Sequence, residues 1–133
     1  MRSRKVGVVS CSGECYVEGT ISRIATRYVL ESLKPDNTVT ICLPLFLSGD
    51  GGERMFAKNF PTIAVDGCGK RCAQKAIERY SGKTAKSIVV SELLEEWNEP
   101  EPGSRRELNE KGLRLASKVA EEIVDSMDEI LAD

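Results

Sequence analysis

The chain has 133 residues, 41% of them hydrophobic and 30% charged, which suits one compact domain spanning 1–133 and is too short for two. Nineteen basic against 21 acidic residues leave a formal charge of −2, so nothing in the total suggests the phosphate-neutralising surface of a nucleic-acid binder, and no nucleic-acid partner is expected. The apolar run 6–9 is far shorter than a signal-peptide core or a membrane span, and a cytoplasmic protein with no membrane contact is expected.

Val6 to Ser10 is a β-branched run of the kind buried on both faces of a parallel sheet. From Thr20, a plausible cap, Ile21, Ile24, Ala25, Tyr28, Val29 and Leu33 recur at helical spacing, and 34–37 stops the helix. Thr38 to Leu43 reads as the second strand, ended by Pro44; the flexible turn Ser48 to Gly52 leads into a short helix over 53–59. Thr62 to Val65 is the third strand. Cys72, Ala73, Ala76, Ile77 and Tyr80 mark the buried stripe of a helix closed by Ser81-Gly82, and Ser87 to Val90 forms the fourth strand. A Pro/Glu linker over 98–103 precedes a capping box, Ser104 and Glu107. It opens a long C-terminal helix over 104–131, about 40 Å in length, with Gly112 as a candidate kink and an acidic face solvated.

Alternating strands and helices predict a three-layer α/β fold with a four-stranded parallel sheet in the order 2-1-3-4, flavodoxin/Rossmann-like. In that order the winding reverses between the first and third strands, so the loops leaving their carboxyl ends flank the crevice where such folds bind ligands.

Two C-x3-C pairs fall on those loops: Cys11 and Cys15 after the first strand, Cys68 and Cys72 after the third. Five cysteines without a secretory signal argue against a disulfide framework, and the absence of histidine removes every imidazole mechanism and leaves sulfur and carboxylate as ligands. The geometry predicted for Cys11, Cys15, Cys68 and Cys72 is that of a four-thiolate zinc cage, its negative charge offset by amides at the start of the following helix and by Lys70 and Arg71. Two other readings use the same residues: a thiol-disulfide oxidoreductase or sulfur carrier working through one C-x3-C pair, and an iron–sulfur cluster. Cys42, between Ile41 and Leu43, is assigned to core packing. Asp66 is read as accepting amide hydrogens from the following helix start, and Gly67 as supplying an unusual backbone angle. No catalytic residue is assigned, and no protein partner.

With Cys-Ser-Gly-x-Cys after the first strand and Asp-Gly-Cys-x3-Cys after the third, the chain resembles the DGC-domain family, named for that tripeptide and described as zinc-binding. The resemblance covers about 5–97, treats the final helix as a peripheral addition, and implies zinc at Cys11, Cys15, Cys68 and Cys72 without implying a reaction. Low-molecular-weight tyrosine phosphatases and arsenate reductases also place a cysteine loop after the first strand. Their loop carries an arginine where this chain has Val17, so the likeness does not extend to phosphatase activity.

Overall fold

The computed structural model describes residues 4–11, 16–99 and 107–132. Four parallel strands, β1 (Val6–Ser10), β2 (Thr38–Val39), β3 (Thr62–Asp66) and β4 (Lys86–Val89), form one sheet in the order β2-β1-β3-β4, as the crossover argument predicts. β1 pairs with β3 from Gly7 opposite Thr62 to Ser10 opposite Val65, and with β2 at Val6 opposite Thr38 and Gly7 opposite Val39. Strand alternation divides the core into two layers. Val6, Val8, Ile63 and Val65 point to one side, beneath α1 (Val17–Tyr28), α6 (Val90–Glu96) and α7 (Glu110–Ala132). Val9 and Ala64 point to the other, against α2 (Leu43–Ser48) and α5 (Cys72–Tyr80).

Several boundaries differ from the sequence expectation, each for a local reason. The first helix begins at Val17, a turn before Thr20, because Val17 is buried in line with Ile21 and Ala25; Thr20 lies inside the helix, its amide bonded to the Tyr16 carbonyl. Its last turn, Val29–Leu33, loosens to π geometry, with the Lys34 amide reaching the Val29 carbonyl. The second strand ends at Val39, not Leu43. Thr40 Oγ1 donates to the Val8 carbonyl at 2.7 Å, and Pro44, with no amide hydrogen to lose, sits in the first turn of α2. Two four-residue helices, α3 (Gly51–Arg54) and α4 (Phe56–Asn59), replace the single one expected over 53–59. β4 runs 86–89, and Val90 opens α6, a helix the sequence reading lacked.

The C-terminal helix is not peripheral. Leu115, Ala116, Val119, Ala120, Ile123 and Met127 are buried in the larger core layer, packed on α1 and the sheet. Gly112 marks its first turn and makes no kink: its amide donates to Asn109 Oδ1 at 2.8 Å. Ser104 and most of the 98–103 linker lie outside the described residues. Among the described residues no helix is long and apolar enough to cross a membrane.

Candidate functional site

β1 continues its ladder one residue past Ser10, with the Cys11 amide donating to the Val65 carbonyl at 3.1 Å, and so fixes the half-buried Cys11 beside the end of β3. Cys11 Sγ accepts the Gly67 amide hydrogen at 3.4 Å and lies 3.4 Å from Ser22 Oγ. The Ser22 hydroxyl donates to the Gly19 carbonyl at 2.6 Å, so the proton in the Cys11–Ser22 contact comes from the thiol.

The Asp-Gly-Cys segment divides its labour by residue. Asp66, only 1% exposed, accepts the amides of Ala73 (2.7 Å) and Gln74 (3.1 Å), pinning the start of α5 to the end of β3 as expected. Burial pushes the Asp66 carboxyl above its ordinary range, opposed by those two amides and by the charges of Arg71 and Lys75. Gly67 is required for a different reason from the one read in the sequence. A Cβ there would stand 2.4 Å from the Gly19 nitrogen and 2.6 Å from its Cα, so the β3 loop and the start of α1 touch backbone to backbone. The Gly67 carbonyl accepts the Ser91 amide at 3.0 Å, tying the same loop to α6.

Cys68 is half-buried, and its carbonyl accepts the Arg71 amide at 3.1 Å in a turn that puts Arg71 at φ 54°. Cys72 opens α5 on its outer face and is exposed; the inward stripe is Ala73, Ala76 and Ile77, so Cys72 does not belong to the buried face where the periodicity placed it. Tyr80 is likewise exposed. Cys15 lies outside the described residues. Among the described residues no three Cys, Asp or Glu side chains are gathered as a ready metal cage. The structure brings Cys11 against the Gly67 amide, next in the chain to Cys68, while Cys68 itself lines a shallow depression of about 390 Å³ with Tyr16, Glu18 and Lys70.

Cys42 is the cysteine the sequence reading misplaced. It is exposed at the entry to α2 and lines, with Cys11, a separate groove of about 330 Å³. Pro44 two residues on was the available signal, since a first-turn proline ends the strand before Cys42 can be buried in it. A larger depression of about 520 Å³ over α7 and Trp97 contains no cysteine.

The DGC domain family model matches residues 7–114, most of the chain. The chain belongs to the DGC domain family. The match runs past 97 into α7, in keeping with that helix's burial in the core. No curated protein and no solved structure is detectably similar to the chain. In this DGC domain the first two residues of the family tripeptide therefore have a physical reading: Asp66 is a helix anchor, and Gly67 a backbone contact whose amide meets Cys11.

Proposed function

We propose that this DGC domain binds zinc through Cys11, Cys15, Cys68 and Cys72 at the carboxyl edge of its sheet, in a structural, sensory or metal-handling role. The observation that supports it most directly is the Gly67 amide donating to Cys11 Sγ, which joins the two cysteine-bearing loops and supplies the kind of donor a metal-bound thiolate requires. The donor chemistry fits zinc: cysteine thiols lose their protons on binding metal, histidine is absent, and Lys70 and Arg71 bring positive charge to the same loop. A zinc ion on four thiolates supplies a closed tetrahedral crosslink. The protein's own contribution is to hold Cys11 by the Gly67 amide, and to fix the Cys68 loop through Asp66. Binding draws the exposed Cys72 and the half-buried Cys68 toward Cys11, so metal affinity and loop order are coupled.

Cys11→Ser and Cys68→Ser are expected to lose most of the metal, whereas Cys42→Ser keeps it, measured as metal per chain with circular dichroism confirming the fold. Equal loss in all three folded variants would contradict this ligand set, and visible absorbance from iron and sulfide would move the assignment to an iron–sulfur cluster.

A second reading, thiol-disulfide exchange or sulfur transfer by one C-x3-C pair, is favoured by the accessibility of Cys68 and Cys72 on either side of Arg71. It predicts reversible oxidation of that pair, identical in metal-loaded and chelated protein, with the other pair dispensable.

A further inference from the structure

The groove shared by Cys11 and Cys42 holds features that a zinc site at the other loops does not use. β2 ends at Val39, and Thr40 Oγ1 bonded to the Val8 carbonyl keeps the chain beside β1 beyond that end. Cys11 and Cys42 thus lie on neighbouring chain segments and line the same groove. Arg23 and Arg27 line it from α1, with Leu30 and Ile41 as apolar wall. Arg27 is partly offset by Glu31 at 3.0 Å, but Arg23 makes no hydrogen bond or ion pair with any described residue.

From this placement we propose that the groove binds low-molecular-weight disulfides bearing carboxylates, and that Cys42 and Cys11 exchange with them. The exposed Cys42 thiolate attacks one sulfur of the ligand, breaking its S–S bond, forming a mixed disulfide on Cys42 and expelling one ligand thiolate. The less accessible Cys11 then attacks the Cys42 sulfur; its proton goes to the second departing thiolate, and a Cys11–Cys42 disulfide remains. The protein dithiol loses two electrons, the ligand disulfide gains them, and two ligand thiols leave. Arg23 and Arg27 hold the ligand carboxylates while the apolar wall takes its carbon chain. This goes beyond the zinc reading, since neither Cys42 nor the arginines belong to that site. With Cys11 held by metal, the reaction stops at the mixed disulfide on Cys42.

The test uses the full chain, reduced, as purified and after chelation, exposed to oxidised glutathione or to the neutral bis(2-hydroxyethyl) disulfide. Mass spectrometry of alkylated peptides gives the rate at each cysteine. Cys42 should react with the anionic disulfide faster, relative to the neutral one, by about fivefold or more than it does in a folded Arg23→Gln/Arg27→Gln variant. The chelated protein should proceed to a Cys11–Cys42 bridge that Cys11→Ser lacks. An anionic-to-neutral ratio at Cys42 unchanged by the arginine substitutions, or a chelated protein that never forms the Cys11–Cys42 bridge, overturns the proposal. Metal content is read separately, so failure here leaves the zinc reading standing, and the reverse.

Discussion

Gly67 answers to two neighbours at once: its amide faces Cys11 Sγ, and its missing side chain lets the β3 loop lie against the backbone of Gly19. Gly67→Ala forces one backbone away from the other, and overpacking of this kind costs about 1–3 kcal/mol; urea denaturation of metal-free protein should show it, and an unchanged midpoint would contradict the contact. Asp66 was legible from the sequence because capping is a short-range relation between a carboxylate and the amides that follow it. The role of Gly67 was not, because Gly19 is distant in the chain. Cys42 was misread for a related reason: an apolar neighbour on each side resembles a buried strand, and the outcome turned on Pro44 and on the Thr40 hydroxyl displacing the ladder. On the far side of α5, Glu78 accepts both the amide and the hydroxyl of Thr84, which hold its carboxyl below the ordinary glutamate range. A lowered folded pKa contributes stability that is complete above the unfolded value and is lost as pH falls through the folded one. The stability advantage of the native chain over Glu78→Gln should therefore shrink on acidification from neutral pH to below about pH 4. A difference independent of pH would remove the carboxylate from that role.

At the scale of elements, those carrying a clear period in their own residues were the readable ones. β1, β3 and the helix Cys72–Tyr80 came through with their boundaries nearly unchanged. α6 was hidden because Val90 and Leu94 are its only buried positions, with Leu93 half-buried among Glu92, Glu95 and Glu96, and Val90 continues the apolar run of β4. α7 was legible as a helix, but its depth was not, because an apolar face seen in sequence does not say what covers it. Ile123 is fully buried between α1 and the sheet, and truncating it to alanine is expected to cost about 2–5 kcal/mol. Leu113, one helical turn from the start and 50% exposed, should tolerate alanine within about 0.5 kcal/mol. Comparable losses in the two variants, read from chemical denaturation, would contradict the packing of this helix into the core.

Over the whole molecule, the order β2-β1-β3-β4 places the carboxyl ends of β1 and β3 side by side, and every cysteine on the described residues follows from where the chain leaves that edge. Alternating strands and helices with right-handed crossovers leave few other arrangements, which is why the topology could be read from the sequence. The candidate site was legible only as far as the two loops that carry it. How closely Cys68 and Cys72 approach Cys11 depends on tertiary contacts, and the left-handed Arg71 between them turns Cys72 outward. The zinc reading is tested most directly by elemental analysis of the full chain purified under reducing conditions without added metal or chelator. The account predicts about one zinc per chain, released together with four newly titratable thiols. A folded chain with no metal and its thiols already free would contradict it.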